Sequence, residues 1–215
     1  MKFNVIIPSC KKIQELEMFV NVLKGYDTPD TPVRYIPTGL PSSASVNRNY
    51  GLLQVDQDCE FVIMIDDDMG GFFTGWQEKL VGPYFNEPKV KAVAARLLTP
   101  TGDLSPMLGC DADLSVPYKQ AQNVVITAAV VYKRADILGD NPVFFDESYI
   151  GSGYEDTDYC FQLSKRYPDA VFLVNNECKL IHFHEMKNQH GKYEQHNKSF
   201  FEHKWAERLQ GMDRG

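Results

Sequence analysis

The 215-residue sequence lacks the patterns that mark several classes of protein. No apolar run approaches the roughly 18 residues that a membrane span requires, and no CxxC pair occurs among the five cysteines, which argues against a zinc ribbon or a disulfide framework. Basic side chains are outnumbered by acidic ones, with 22 Lys and Arg against 29 Asp and Glu. We therefore expect no broad basic surface that would bind nucleic acid or an anionic membrane. These absences favour a cytoplasmic, unanchored protein.

The residues that are present favour one folded domain. Hydrophobic residues make up 43% of the chain and charged residues 24%, which is ordinary globular composition. Short apolar segments alternate with segments of helical periodicity, which predicts an α/β fold with a largely parallel sheet. The predicted strands are residues 2–7, 33–36, 61–65, 90–98, 124–132 and 170–174; the predicted helices are residues 13–24, a segment from about 46, and residues 156–167.

Three consecutive carboxylates follow the predicted strand 61–65. That strand is an uninterrupted apolar run, which is typical of a strand covered on both faces. Asp66, Asp67 and Asp68 therefore emerge at the carboxyl end of a central strand, where open α/β sheets bind ligands. Adjacent carboxylates repel one another unless a cation lies among them, and such oxygen ligands suit Mg²⁺ or Mn²⁺ bound with phosphates. An acidic surface turn is the alternative.

Three enzyme classes place acids at such a strand end. A phosphatase of the haloacid dehalogenase type has Thr or Val after its second acid, whereas Met69 follows Asp68 here. A sugar nucleotidyltransferase begins with a glycine-rich phosphate loop, whereas this chain has Pro8-Ser9-Cys10-Lys11 after its first strand. The third class is a nucleotide-sugar glycosyltransferase. A catalytically silent nucleotide- or carbohydrate-binding module is a further alternative.

Ordered motifs along nearly the whole chain resemble the GT-A glycosyltransferases, and most closely their family 2. The matching segments are Val5-Ile6-Ile7-Pro8-Ser9, Asn47-Arg48-Asn49-Tyr50-Gly51-Leu52, Asp66-Asp67-Asp68, Gly153-Tyr154-Glu155-Asp156-Thr157-Asp158, Glu177-Cys178-Lys179-Leu180-Ile181-His182 and the ending Ser199-Phe200-Phe201-Glu202-His203-Lys204-Trp205. One difference is that residues 38–41 offer no acid where family members commonly contact the base.

The resemblance implies a single Rossmann-like GT-A domain over residues 1–215, with helices flanking the sheet. Residues 1–70 would form the nucleotide-binding half, residues 71–182 the acceptor-side half, and residues 183–215 a mobile loop and tail. It implies an enzyme that uses Mn²⁺ or Mg²⁺ to move a sugar from a nucleotide-diphosphate donor, UDP-linked, to an acceptor hydroxyl. A glycan, a protein, a lipid-linked sugar and a modified nucleic-acid base all remain open as acceptors.

Roles follow for the residues of these motifs. The predicted metal ligands are Asp68, Asp66 and His182, with His184 as the alternative histidine because residues two apart on an extended segment point the same way. The predicted nucleotide contacts are Pro8, Ser9, Arg48, Asn49, Asp66 and Asp67; a guanidinium suits phosphate geometry, although Arg48 could equally be a solvated helix residue.

The acceptor side carries the predicted catalytic pair. Asp156 matches the position of the general base and Glu155 stands beside it, with Gly153 and Tyr154 next to the acceptor or sugar. Acidic residues at a helix N-terminus are also favoured by the helix dipole, so a capping role is the alternative. Trp76 is predicted to stack on a sugar ring.

Overall fold

The computed structural model describes residues 1–105, 114–121, 124–183 and 190–212. Its strands are β1 (Phe3–Ile7), β2 (Val33–Pro37), β3 (Phe61–Ile65), β4 (Met69–Gly70), β5 (Val90–Leu98), β6 (Tyr118–Gln120), β7 (Ala129–Lys133) and β8 (Val171–His182). Its helices are α1 (Ile13–Lys24), α2 (Ala44–Leu52), α3 (Trp76–Val81), α4 (Arg134–Leu138), α5 (Glu155–Arg166), α6 (His190–Lys204) and α7 (Ala206–Met212), with a 3₁₀ turn at Gly82–Phe85. Every helix within the described residues is too short or too polar to cross a bilayer.

The eight strands form one sheet in the order β2-β1-β3-β7-β5-β8-β4, with β6 paired to β8. Strands β1, β2, β3, β5 and β8 run in one direction, and β4, β6 and β7 run in the other. The predicted α/β architecture with a largely parallel sheet is confirmed. Parallel pairing of β1, β2 and β3 brings the carboxyl ends of these strands to one edge of the sheet.

The core lies on both faces of the central strands. All residues of β1 and β3 are buried, so the central position predicted for residues 61–65 is confirmed. Helix α1 contributes Leu16, Val20 and Leu23 from its buried face. Burial of each such side chain is worth about 1.5–3 kcal/mol, so the buried strand β3, which ends at the acidic triplet, is anchored in the core.

Two predicted strands differ from those observed. The segment predicted to be a strand over 124–132 forms a strand only from Ala129, because β7 begins where it can pair with β3 at Ile65. The short strand predicted at 170–174 continues to His182. Its pairing with β5 shifts between Ala95 and Arg96, which leaves residues 176–178 bulged out of that ladder; backbone amides of the bulge donate to the Asn175 side chain at 2.9 and 3.2 Å.

Candidate functional site

The turns that follow β1 and β3 meet at the carboxyl edge of the sheet. The Ser9 hydroxyl donates a hydrogen bond to the Asp67 carboxylate, and Lys11 Nζ lies 3.1 Å from the other Asp67 oxygen. Ser9 is itself buried, and its backbone amide donates to the Thr38 hydroxyl at 3.3 Å. The structure thus joins the predicted nucleotide turn, Pro8 and Ser9, to the acidic triplet through Asp67.

The other two acids of the triplet meet a histidine from the far end of the chain. Ligand atoms of Asp66, Asp68 and His182 all lie within 4.8 Å of one another, and His182 Nε2 is 3.2 Å from Asp68 Oδ1. The β4–β8 pairing places His182 opposite Met69, so the extension of β8 is what carries the histidine to this edge. The alternative ligand, His184, lies outside the described residues.

Each group in this cluster affects the protonation of the others. Burial raises the pKa of Asp66 to about 6, although the Arg48 guanidinium opposes the shift. Burial would lower the pKa of His182, but the Asp68 and Asp66 carboxylates raise it above its usual value. Two carboxylates and an imidazole that lie close enough to contact the same ion suit a divalent cation such as Mn²⁺ or Mg²⁺. These three residues could therefore hold a metal ion.

Arg48 bridges this cluster and the predicted catalytic pair. Its Nη1 lies 2.7 Å from Glu155 Oε1 and its Nη2 3.5 Å from Asp66 Oδ1. The Phe145 ring covers the guanidinium at 5.4 Å, and only 5% of the residue is exposed. Arg48 is therefore a buried ion-pair partner of two carboxylates, not the solvated helix residue that the sequence also allowed.

The Asn49 side chain is hydrogen-bonded within the protein. Its Nδ2 donates to the Phe145 carbonyl and to Glu147 Oε1, both at 2.9 Å, and its Oδ1 accepts from the Phe145 amide at 2.8 Å. Its side chain holds the segment before α5, and both of its N–H donors are used within the protein; the nucleotide contact stays a prediction. Helix α2 turns this face toward residues 145–147.

Asp156 lies in the first turn of α5, where its Oδ1 accepts a hydrogen bond from the Thr157 amide at 2.8 Å. Burial and the neighbouring Glu155 nevertheless raise the pKa of Asp156 to about 7, with Arg48 opposing. The backbone hydrogen bond at the helix N-terminus lowers the pKa of Asp156, and burial and Glu155 outweigh it. A pKa near neutrality suits a general base. Glu155, by contrast, is tied to Arg48.

The loop before Asp156 is conformationally unusual. Gly151, Gly153 and Tyr154 all have positive φ, of 65°, 106° and 70°, and Tyr154 is the one non-glycine residue of the described chain in this state. Such a conformation costs a non-glycine residue about 1–3 kcal/mol and occurs preferentially at functional sites. A cavity of about 220 Å³ lies beside it, lined by Ser152, Gly153, Tyr154, Thr157 and Glu194.

Trp76 does not reach the site. Its side chain is fully buried, at 0% exposure, and its ring lies 5.4 Å from that of Phe72 within the core. Because α3 packs this face against the sheet, no face of the indole is available to a sugar. The predicted stacking role is wrong.

Two buried polar residues near the site have roles that their sequence context does not predict. Asn197 of α6 is fully buried and hydrogen-bonded to the 150–153 backbone. Asp158 accepts hydrogen bonds from Trp205 Nε1 and Gln162 Nε2, both at 2.7 Å, and pairs with Lys204 at 2.8 Å. The sequence signals for Asp158 are its place in the acidic motif that begins at Gly153 and the Lys204-Trp205 ending; neither points to Asn197. These contacts pin the end of α6 to α5.

No family model and no curated protein sequence matches this chain. Solved structures do. GalNAc-T7, solved with UDP, GalNAc and Mn²⁺, superposes on 81% of this chain with a TM-score of 0.50 and 9% identity. This chain spans only 35% of that protein.

Two smaller enzymes give a fuller match. Glucosyl-3-phosphoglycerate synthase from Mycobacterium tuberculosis, solved with Mg²⁺ and UDP, covers 89% of this chain and 73% of its own length, at a TM-score of 0.55 and 12% identity. The Drosophila β1,4-galactosyltransferase 7 catalytic domain, solved with xylobiose, matches 86% of this chain and 71% of its own length. Its TM-score is 0.54 and its sequence identity 13%. This chain therefore has the GT-A glycosyltransferase fold, as shown by the strand order of its sheet, the acidic cluster at the sheet edge and these structural matches.

Proposed function

We propose that the protein is a metal-dependent glycosyltransferase that moves a sugar from a UDP-linked donor to an acceptor hydroxyl with inversion. The observation that carries the proposal is a chain of charged side chains that connects the candidate metal site to the predicted catalytic residues. The Asp66, Asp68 and His182 cluster is joined through Arg48 to the turn that bears Glu155 and Asp156. The similar solved structures, with UDP and Mn²⁺ or Mg²⁺, support a donor of this kind.

On the donor side, Asp66, Asp68 and His182 would hold a divalent ion, which supplies positive charge to the diphosphate leaving group. The turn at Pro8 and Ser9 borders the nucleotide and is fixed by the Ser9–Asp67 hydrogen bond. Arg48 keeps Asp66 oriented and compensates part of the negative charge of the cluster.

On the acceptor side, Asp156 would take the proton of the acceptor hydroxyl. The freed oxygen then forms a bond to the anomeric carbon, while the bond from that carbon to the diphosphate oxygen breaks and its electron pair leaves with UDP. Displacement from the opposite face inverts the anomeric carbon. A pKa of about 7 leaves much of Asp156 deprotonated at neutral pH, as this role requires.

The remaining expectations belong to the same proposal. Residues 1–70 form the donor half and residues 71–182 the acceptor half. The mobile loop and tail expected for residues 183–215 is the exception and is not part of the proposal, because residues 190–212 form helices α6 and α7. Membership of family 2 and a cytoplasmic location are part of it. Gly153 and Tyr154 border the acceptor; the space beside Gly153 is open, since an added Cβ there would meet nothing within 4 Å.

Calorimetry with UDP, with and without Mn²⁺, tests the donor site, and a screen of UDP-sugars for hydrolysis tests catalysis. We expect UDP to bind only with the metal present and one UDP-sugar to be hydrolysed. Binding without hydrolysis of any UDP-sugar would indicate the silent binding module instead. No metal-dependent binding would refute the donor site.

A further inference from the structure

The side-chain hydrogen bonds of Asn197, on α6, go to one short segment of main chain. Its Oδ1 accepts from the Ile150 amide at 3.1 Å, and its Nδ2 donates to the carbonyls of Ile150, Ser152 and Gly153 at 2.9, 3.3 and 3.0 Å. The residue is fully buried. A buried amide whose donors and acceptor are all satisfied by one loop fixes that loop in a single geometry.

The fixed segment leads directly into Asp156. It holds the positive φ angles of Gly151, Gly153 and Tyr154, and Tyr154 immediately precedes the first turn of α5. Left-handed backbone at a tyrosine persists only where surrounding contacts impose it. The direction in which α5 begins, and with it the position of the Asp156 carboxylate, therefore depends on the contacts that hold residues 150–154.

One face of α6 provides those contacts. Tyr193, Asn197 and Phe201 are four residues apart, so they lie along one side of the helix. The Tyr193 ring packs against Gly151, so a Cβ added at Gly151 would lie only 2.7 Å from Tyr193 Cδ2. The centres of the Phe201 and Tyr154 rings are 5.6 Å apart. From the opposite side, the Ala44 amide at the start of α2 donates to the Gly151 carbonyl at 2.8 Å.

We propose that Asn197 is a positioning residue for the transfer reaction: it sets the backbone before α5 and thereby aims the Asp156 carboxylate, without touching donor or acceptor. This rests on the proposed function, because it presumes that Asp156 is the base. The donor cluster lies at the carboxyl ends of β3 and β8 and shares none of the Asn197 hydrogen bonds. Loss of Asn197 should therefore affect turnover and leave donor binding intact.

The variant Asn197→Asp tests this inference, because it keeps the shape of the side chain but replaces the N–H donors that face three carbonyls with an oxygen. Gln195→Glu is the matched control: the same amide-to-carboxylate change, on the same helix, at an exposed residue. Gly151→Ala disturbs the same segment from the Tyr193 side and serves as a second variant should Asn197→Asp fail to fold.

Each protein is assayed, well below its melting temperature, for UDP binding with Mn²⁺ and for hydrolysis of UDP-glucose, UDP-galactose or UDP-N-acetylglucosamine, whichever the parent accepts. We expect kcat to fall roughly 10- to 100-fold in Asn197→Asp and Gly151→Ala. The UDP affinity and donor KM should stay within about twofold of the parent, and Gln195→Glu should match the parent.

The outcomes separate the two levels of the proposal. A lower melting temperature with unchanged kcat would show a purely structural role and overturn the positioning role alone. Equal losses of UDP affinity and kcat would overturn it as well, since the effect would not be confined to the base. A parent protein that neither binds UDP nor hydrolyses any of the three sugars would overturn the proposed function and the role of Asn197 together.

Discussion

The two sides of the site are built in different ways. The donor-side cluster lies on sheet edges: Asp66 and Asp68 directly follow β3, and His182 ends β8. The acceptor-side turn lies on a loop with three left-handed residues, held by the Ala44 backbone amide of α2 and by side chains of α6. Local openings of a protein follow its least-packed elements. The donor side therefore rests on paired strands, whereas the acceptor side depends on a few hydrogen bonds.

Arg48 is the direct link between the two sides, since it pairs with Asp66 on one and Glu155 on the other. Substitutions on the donor side should change both nucleotide binding and turnover. Substitutions on the acceptor side should change turnover alone, and substitutions at the link should change both to a smaller extent.

Asp68→Ala should have the largest effect. Removal of one of three clustered ligands should weaken UDP binding in the presence of Mn²⁺ by on the order of 10²-fold or more and abolish measurable turnover. Calorimetry and the hydrolysis assay measure both. Asp140→Ala, at an exposed residue, is the control, and an unchanged affinity in Asp68→Ala would exclude Asp68 as a metal ligand.

Asp156→Asn should leave UDP and Mn²⁺ binding unchanged and lower the transfer or hydrolysis rate by about 10² to 10⁴. Asn caps a helix about as well as Asp, so a capping role predicts little change in either rate or melting temperature. Asp169→Asn, at an exposed residue, controls for the loss of charge. Rates within a few-fold of the parent would move the base assignment to another acid.

Arg48→Lys tests the link. A lysine can approach one carboxylate but cannot reproduce the two-sided contact of a planar guanidinium, so we expect UDP affinity and turnover each to fall by roughly 10-fold. Arg34→Lys, in an exposed ion pair with Asp56, is the control. A fall in one quantity without the other would show that Arg48 serves only one side.

The pH dependence of turnover should report Asp156. Its pKa is raised to about 7, so acid below that value protonates the base, and the rate should fall by about tenfold per pH unit. Asp156→Asn should remove this dependence while leaving a lower, flatter profile. A parent profile that is flat from pH 5 to 8 would contradict the assignment.

Trp76→Phe should have the smallest effect on activity. Because the indole is buried in the core, the change should lower the free energy of unfolding by about 1–3 kcal/mol and leave the KM for donor and acceptor unchanged. Denaturant unfolding and steady-state kinetics measure the two. A raised KM at equal stability would restore the sugar-stacking role.

The sequence was sufficient where a feature is local. The apolar run 61–65 and the three acids that follow it predict a buried strand with carboxylates at its carboxyl end, where open α/β sheets bind ligands. The motif order also identified His182, although only the β4–β8 pairing explains how it reaches Asp68.

The sequence was insufficient where a feature depends on distant partners. Asn49 stands inside a motif that resembles a nucleotide-binding helix, yet its amide bonds to residues 145 and 147. Trp76 follows the acidic triplet closely but faces the core. Nothing in the sequence around Asn197 marks it. Its hydrogen bonds go to a loop more than 40 residues earlier, which only the folded structure brings next to it.

The bulge of β8 also limits how this chain can change in length. Residues 176–178 leave the β5 ladder, and the strand then runs straight to His182. A strand advances about 3.3 Å per residue and alternates its faces, so one residue inserted or deleted after the bulge would move the histidine and turn it to the opposite face. The turn at residues 99–103 is hydrogen-bonded as well, since the Thr99 amide donates to the Asp103 carbonyl at 2.8 Å and the Ser105 amide to the Leu97 carbonyl at 3.0 Å. Related sequences should therefore keep a fixed number of residues from Asn175 to His182.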